Sequence, residues 1–271
     1  MRRIAMLNLD GKSGPVTDPE IDVSEVRVEL YHLAHRVLAR TPYDRLLTDL
    51  LTVGAGERAI ADGCSTIFID SFADYGSAAL RAATDLPVIG AGEAGIAHAA
   101  EHGSYSIVTV WPASMGFLYD ERLASCVGGT ACRAVHHVGD EREPDRVGTS
   151  ASARARMVRG DREYLDLLEA ACRAAVADDG TDAVLLGCTC MSPVAAELDR
   201  RCEFPVLDPS ALGWADAVAA ATDQGETGPS ARRGAQTRRA GEVSQVVEAW
   251  LAAVTSPSDD CDVCQIVPKN V

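Results

Sequence analysis

The arrangement of apolar and polar positions predicts that strands and helices alternate along most of the chain. Short apolar runs rich in β-branched residues are typical of buried strands, and apolar residues at helical spacing are typical of amphipathic helices. The strand-like runs lie at 4–8, 66–69, 86–89, 106–110, 183–186 and 205–207. The helical segments lie near 24–40, 43–62, 93–102, 160–178 and 210–222. Alternating strands and helices indicate an α/β fold with mostly parallel sheets flanked by helices.

The chain also contains an internal repeat, in which residues 62–71 align without a gap with residues 179–188. Each copy starts with Asp-Gly at the end of a helix, continues into a short apolar strand and reaches a turn at Ser71 or Cys188. Unrelated αβ units share some of this pattern, but the matched turns favour duplication into two pseudo-symmetric lobes. Ligands bind at the carboxyl ends of strands in open α/β sheets. We therefore expect Ser71 and Cys188 to face each other across a cleft between the lobes.

The repeat suggests a division of the chain into segments. We expect a first lobe over 1–104, with 208–222 packing back on it, and a second lobe over 105–207. The Gly-, Pro- and Arg-rich stretch 223–240 is typical of a flexible connector, and 256–271 is a polar tail. An amphipathic helix is predicted over 241–255, and the sequence leaves open whether it packs on the first lobe or on another subunit. We expect the tail to contribute no catalytic group.

Composition and charge narrow the range of partners. The formal net charge is −15, with 25 Lys and Arg against 40 Asp and Glu, and this balance argues against nucleic-acid binding, which requires clustered cations. No apolar run reaches the length of about 18 residues that marks a membrane span, and the N-terminus does not resemble a secretory signal. We expect a cytoplasmic, bacterial protein that forms a homo-oligomer. Its nine cysteines are then interpreted mainly as buried thiols in a reducing compartment.

Several motifs suggest cofactor or metal sites only weakly. The glycines of 90–95 match the dinucleotide pattern G-x-G-x-x-G, yet no Asp or Glu lies about 20 residues further on, where the ribose would bind. Cys261 and Cys264 have metal or redox spacing but no second pair nearby. His136 and His137 are neighbours in a strand-like segment, so their side chains point to opposite faces. We predict neither a metal nor a cofactor.

Cys188 has the most suggestive position of the nine cysteines, because a strand ends there and a helix begins in Gly187-Cys188-Thr189-Cys190-Met191. Amides of a first helical turn and the helix dipole favour an anion, which would lower the pKa of the Cys188 thiol below its ordinary value of about 8.5. A thiol activated in this way serves as a general base or nucleophile. The alternative is a small buried thiol that only closes a strand.

These residues resemble the aspartate/glutamate/hydantoin racemase superfamily, and most closely its hydantoin racemase branch. Residues 71–76, Ser-Phe-Ala-Asp-Tyr-Gly, resemble that branch's C-F-x-D-P-G. Residues 87–94 resemble P-V-x-G-I-x-E-A, 105–109 resemble F-S-V-V-T, and 186–191 resemble L-G-C-A-G-M. The resemblance runs from about Ile4 to Thr222. It implies two similar lobes, a small carboxylate or imide-like substrate, and proton transfer by two cysteines on opposite faces of a carbon acid.

Ser71 departs from this pattern, since it stands where the family has its first catalytic cysteine. A serine hydroxyl does not ionise near neutral pH as a thiol does, so Ser71 is a poor general base unless a neighbour activates it. Asp10, Asp74, Tyr75 or Cys190 could take over the missing proton transfer, or the reaction could need Cys188 alone. We take Cys188 and Ser71 as catalytic candidates. The substrate-binding candidates are Asn8, Asp10, Phe72, Asp74, Tyr75, Glu93, Thr109, Thr189 and Cys190.

Three hypotheses follow from the sequence. The first is a cofactor-independent racemase or epimerase of a small amino-acid derivative, such as a hydantoin or an acidic amino acid. The second is a one-cysteine lyase or decarboxylase, or else a cis-trans isomerase, of a specialised biosynthetic pathway, because the superfamily that the chain resembles includes both kinds of enzyme. The third is a ligand-binding relative that has lost its chemistry together with the first cysteine.

Overall fold

A computed structural model of the protein describes residues 2–8, 26–35, 37–223 and 241–255, with side chains as far as residue 250. Within these residues, eight strands form two four-stranded parallel sheets. The strands are β1 Arg2–Asn8, β2 Val26–His32, β3 Thr66–Asp70, β4 Val88–Gly90, β5 Tyr105–Thr109, β6 Cys132–His137, β7 Ala183–Leu186 and β8 Val206–Leu207. The α-helices are α1 Pro42–Ala61, α2 Ser77–Ala83, α3 Ala91–Glu101, α4 Phe117–Ser125, α5 Glu143–Arg146, α6 Ala153–Val158, α7 Arg162–Asp179, α8 Ser192–Arg201, α9 Pro209–Asp223 and α10 Glu242–Thr255.

The two sheets have the same strand order, β2-β1-β3-β4 in the first and β6-β5-β7-β8 in the second. In each sheet the repeated strand, β3 or β7, lies between the first and the last strand of its lobe. This arrangement confirms the predicted α/β fold with two similar lobes. The repeated Asp-Gly has a local cause, because Gly63 and Gly180 follow α1 and α7 with φ of 85° and 63°. Glycine adopts this left-handed conformation without the strain that a Cβ brings.

The predicted helix at 24–40 is wrong. Val26–His32 forms β2, which pairs in parallel with β1 from Arg2 opposite Val26 to Asn8 opposite His32. Val26 and Val28 pack on one face of the sheet and Tyr31 packs on the other. A strand that contributes apolar residues to both faces shows no clear alternation, so the apolar spacing in this segment resembled that of a helix.

Helices α3 and α9, which follow the last strand of the first and of the second sheet, pack against each other and against the opposite sheet. Helix α9 covers β1 and β3, where Trp214 and Ala217 join Ile4, Met6 and Phe68 in a buried cluster. Helix α3 contacts α9 and β7, and its Ile96 is buried with Tyr105, Ile107 and Leu185. The two lobes therefore share apolar core as well as a cleft.

Helix α10 packs on α1 of the first lobe. Val247 of α10 is buried in the core beside α1, and the Ser244 amide donates a hydrogen bond of 2.7 Å to the buried Glu57 carboxylate. Of the described helices, none combines the length and the apolar character needed to cross a membrane. Asp223 ends α9, whereas the rest of the predicted connector and the polar tail lie outside the described residues.

Candidate active site

The carboxyl ends of strands from both sheets open into one cleft, which has a volume of about 740 Å³. Asn8 ends β1 and Asp70 ends β3, while Gly187 and Cys188 follow β7. Neighbouring parallel strands end at the same edge of a sheet, so their terminal residues meet at a common site. The predicted site residues that line the cleft are Asn8, Ser71, Phe72, Tyr75, Cys188, Thr189 and Cys190.

Cys188 lies at the turn between β7 and α8. Its backbone is extended and caps a 3-10 turn at Thr189–Met191 that leads directly into α8, and the Cys190 amide donates to Cys188 Sγ at 3.1 Å. The Tyr119 hydroxyl also fixes this turn, because it donates a hydrogen bond of 2.8 Å to the Gly187 carbonyl. The Thr109 hydroxyl is bonded to the same Tyr119 hydroxyl. The sulfur is therefore positioned at the edge of the cleft, with 9% of the residue exposed.

The Cys188 sulfur is joined to Cys190 in a disulfide, with 5.1 Å between the two Cα atoms. This pairing departs from the expected set of free thiols, which holds for Cys64, Cys126, Cys132, Cys172 and Cys202 among the described cysteines. A disulfide sulfur has no proton to transfer. Thiol chemistry at Cys188 therefore requires that this bond be reduced.

Ser71, in contrast, has no activating partner among the described residues. Its hydroxyl forms no side-chain hydrogen bond there, although its backbone is fixed by bonds to Ile69 and Asp74. The residue is 6% exposed and lines the cleft from the first lobe. It can offer a hydrogen bond to a ligand, but no neighbouring base is placed to remove its proton.

Asp70, immediately before Ser71, is a cleft residue that the sequence analysis missed. Its Oδ1 accepts a bond of 2.7 Å from the Ser210 hydroxyl, and its Oδ2 accepts one of 3.1 Å from the Asn8 amide. Burial raises the pKa of Asp70 to about 6, although the Ser210 hydrogen bond opposes this rise. The Thr189 hydroxyl donates to the Asp70 carbonyl at 3.3 Å and so links this strand end to the Cys188 turn.

Other predicted site residues lie outside the lining of the cleft. The Asp74 carboxylate accepts bonds from the Gly92 and Glu93 amides at 2.9 and 2.7 Å, so it caps the start of α3. Burial raises the pKa of Asp74 to about 7. The Glu93 side chain pairs with Arg81. Thr109 acts on the cleft indirectly, through its bond to the Tyr119 hydroxyl and through the bond of 3.3 Å that its hydroxyl accepts from the Trp111 amide. Asp10 lies outside the described residues.

Gly90 and Gly92 serve the same cap. A Cβ at Gly90 would collide with the Asp74 carboxylate, and one at Gly92 would collide with the Phe72 carbonyl. The glycine pattern of 90–95 therefore allows a close approach of the Asp74 turn to α3.

Of the residues that the structure describes, no three His, Cys, Asp or Glu side chains are grouped so that they could hold a metal ion. Cys261 and Cys264 lie outside the described residues.

The wall of the cleft is largely apolar, and it includes one cation that is unpaired among the residues that the structure describes. The apolar lining residues away from the strand ends include Val37, Leu38, Trp111, Met115, Leu118, Val147 and Val158. Arg154 of α6 also lines the cleft, is half-buried, and forms no salt bridge or hydrogen bond with any described residue. Its charge lowers the pKa of Asp70, although burial raises that pKa by more. Arg154 was not predicted because α4, α5 and α6 were not predicted.

A comparison with protein-family models matches residues 24–217 to Asp/Glu/hydantoin racemase. The chain belongs to the Asp/Glu/hydantoin racemase family. The match covers the second lobe and the first lobe from β2 onward, and it confirms the family that the motifs suggested. The hydantoin racemase branch remains a prediction. A comparison with curated proteins finds no match.

Solved structures of three kinds of enzyme share the racemase fold with this chain. Allantoin racemase from Klebsiella pneumoniae has a TM-score of 0.61 and 19% identity, over 81% of this chain and 87% of its own. Arylmalonate decarboxylase has a TM-score of 0.52 and 19% identity, over 82% and 93%. A mutant of Nocardia farcinica maleate cis-trans isomerase, with a covalently bound succinylcysteine intermediate, has a TM-score of 0.56 and 12% identity, over 82% and 93%. At these identities the comparison establishes the fold.

Proposed function

We propose that this racemase-family protein is a cofactor-independent racemase or epimerase, which moves a proton at the α-carbon of a small amino-acid derivative. The observation that carries the proposal is the position of Cys188, at the start of a helix and at the edge of a cleft shared by both lobes. In the reduced protein the first-turn amide of Cys190 would stabilise a thiolate at this position. Such a thiolate suits removal of a proton from carbon.

The charge and polarity of the cleft support a carboxylate or imide-like substrate. Arg154 offers guanidinium donors in a half-buried setting, and its bonding groups are not used by described residues. A guanidinium binds a carboxylate with two parallel hydrogen bonds. The apolar wall around Trp111 and Leu118 would accommodate an apolar substituent on the same substrate. The substrate class is thus a carbon acid that carries a carboxylate or an imide-like group together with a small apolar substituent.

The test is exchange of the α-proton in deuterated water, followed by chiral chromatography. Single enantiomers of hydantoins and of acidic amino acids, together with substituted malonates, would be incubated with reductant and a metal chelator. We expect the wild-type protein to racemise one of the first two groups, and Cys188→Ala to lose that activity. Cys202→Ser is a matched control, because Cys202 is a half-buried thiol of the same lobe outside the cleft. Full turnover by a folded Cys188→Ala variant would contradict the proposal.

Arg154 can be tested separately. We expect Arg154→Gln to raise KM for an anionic substrate about tenfold or more, since a charge-assisted hydrogen bond contributes about 1.5–3 kcal/mol. Arg159→Gln controls for a change of charge near the end of the same helix, because Arg159 is exposed and does not line the cleft. Equal KM values for both variants would show that Arg154 does not bind the substrate.

One observation favours a second candidate, a decarboxylase that uses a single cysteine. Ser71 lacks a thiol and an activating partner among the described residues, so a reaction that needs only protonation by Cys188 fits the cleft as well. Release of carbon dioxide from a substituted malonate, without racemisation of any chiral substrate, would identify this activity. Binding of substrate with neither outcome would indicate the ligand-binding alternative.

A further inference from the structure

Racemisation needs a second acid-base group, because a proton must leave one face of the α-carbon and arrive at the other. Cys188 supplies one such group from the second lobe. Ser71, at the equivalent position of the first lobe, has a hydroxyl of high pKa and no described base beside it. The first lobe must therefore supply another side chain if the proposed function holds.

Among the described residues, three carboxyl groups line the cleft, and two of them are engaged with arginines. Glu143 lies beside Arg146 at 3.4 Å and accepts a bond of 2.6 Å from the Ala153 amide. Asp145 pairs with Arg40 at 2.6 Å. Asp70 forms no salt bridge with a described residue, and the donors that reach it, which include Asn8 and Ser210, are neutral. Its carboxylate is therefore the lining group best able to accept a proton.

The position of Asp70 also suits this task. Asp70 ends β3 in register with Asn8 at the end of β1, and both side chains line the cleft. Asn8 and Ser210 each hold one carboxylate oxygen, so the side chain is oriented before a substrate binds. The bond from the Thr189 hydroxyl to the Asp70 carbonyl places this strand end beside the Cys188 turn.

We infer that Asp70 is the second proton-transfer residue and replaces the missing first-lobe thiol, an inference that rests on the proposed racemase or epimerase function. Burial raises the pKa of this carboxyl to about 6, which leaves it ionised but basic at neutral pH. The charged groups that act on it are Asp208, which raises its pKa, and Arg154, which lowers it. Ser71 then contributes a hydrogen bond to the substrate and no proton transfer.

The proton balance is complete with these two groups. The Asp70 carboxylate takes the α-proton, and the C–H electron pair moves into the adjacent carbonyl group to give an enolate. The Cys188 thiol then donates its proton to the opposite face of the same carbon and becomes a thiolate. For the other enantiomer, the Cys188 thiolate takes the proton and the Asp70 carboxylic acid donates one. Either form of the enzyme is reset by reverse turnover or by exchange with solvent.

The experiment compares Asp70→Asn with wild type and with Ser71→Ala, using each enantiomer separately in deuterated water under reducing conditions. We expect Asp70→Asn to lower racemisation on the order of 10²–10⁴-fold. The enantiomer that faces Cys188 should still exchange its α-proton, while the other enantiomer should not. Ser71→Ala should slow both exchanges by the same factor, about tenfold or less, because it removes one hydrogen bond to the substrate. Racemisation by Asp70→Asn at the wild-type rate would overturn the role of Asp70 alone. A wild-type protein that racemises no candidate would overturn the proposed function and this role with it.

A second variant tests the same residue through its pKa. Ser210→Ala removes a hydrogen bond that lowers the pKa of Asp70, so the acid limb of kcat/KM should move to higher pH for the enantiomer that Asp70 deprotonates. The limb for the other enantiomer should stay in place. A merely structural role for Asp70 would move neither limb, and that result would contradict the inference.

Discussion

At the residue scale, the two strand ends that the repeat makes equivalent are chemically unequal. Cys188 has a sulfur that receives a backbone amide and, when reduced, can carry a proton near neutral pH. Ser71 has a hydroxyl without an activating partner among the described residues. The serine is accompanied by Asp70, whose carboxylate is held in the same cleft.

We predict that Cys188→Ala lowers turnover on the order of 10²–10⁴-fold, the effect of losing a positioned acid-base group. Ser71→Ala should cost about tenfold or less, since it removes one hydrogen bond. Ser71→Cys should raise racemisation or create it, because it restores a thiol at the first-lobe position. Steady-state kinetics with chiral detection would measure all three. If Ser71→Ala lowered turnover as much as Cys188→Ala, the predicted difference between the roles of these two residues would be wrong.

We also predict that Asp70→Asn stabilises the fold at neutral pH. The rise in the pKa of Asp70 from 3.8 to about 6 means that ionising this group costs more in the folded than in the unfolded chain. The cost is absent below pH 3.8, grows as pH rises and is complete above about pH 6. At about 1.4 kcal/mol for each pKa unit, it reaches about 3 kcal/mol at most.

Denaturant unfolding of both proteins between pH 4 and pH 8 would measure this effect. The difference in the free energy of unfolding should be small at the acid end, grow in favour of Asp70→Asn as pH rises to about 6, and level off toward pH 8. A difference that does not change with pH would show that the charge of Asp70 has no part in it.

At the element scale, the turn between β7 and α8 contains both cysteines of a disulfide, so the availability of the Cys188 thiol depends on whether this turn is oxidised or reduced. Cys188 and Cys190 are two residues apart and share a disulfide, so oxidation removes the thiol that the proposed mechanism requires. We predict that a thiol reductant raises wild-type activity severalfold, while Cys190→Ser is active without reductant. Activity and free-thiol titration would be measured together. A fully active protein with the 188–190 bond intact would exclude thiol chemistry.

Helix α10 gives another prediction at this scale. Truncation before Ser256 should leave turnover and stability intact, because the described contacts of α10 precede that point. Truncation before Gly241 should destabilise the protein by about 2–5 kcal/mol, since it uncovers the core at Val247 and leaves the buried Glu57 without the Ser244 amide. Thermal unfolding and kinetics of both truncations would test this. Lost turnover in a folded 1–255 protein would implicate the tail.

At the scale of the whole molecule, shared core couples the two lobes. Ile96 of α3 is fully buried against β5 and β7 of the second sheet, while α9 covers the first sheet. We predict that the lobes unfold in one transition and that Ile96→Ala destabilises both by about 2–5 kcal/mol. Trp214 lies in the core of the first sheet, whereas Trp111 packs against the core of the second sheet and against residues of the cleft. Variants that retain only Trp111 or only Trp214, with Trp250 also replaced, would be compared by fluorescence. Separate transitions would contradict the coupling.

The sequence alone determined the repeat, the two parallel sheets, the family and the position of Cys188 at a strand end. These features depend on short-range pattern, such as apolar runs, Asp-Gly helix ends and a cysteine before a helix, so neighbouring residues suffice to reveal them. The same approach failed at β2, whose apolar residues pack on both faces of an edge strand.

Only the tertiary structure decided which side chains share the cleft. Asp74 and Glu93 belong to a family-like motif, yet the fold uses them at the start of α3, whereas Asp70 and Arg154 line the cleft without any motif to mark them. The environment of Asp70 is made by Asn8 and Ser210, which are 62 and 140 residues away along the chain. Burial and hydrogen bonding between such distant residues exist only after the sheets and α9 have packed, and no local pattern of residues encodes them.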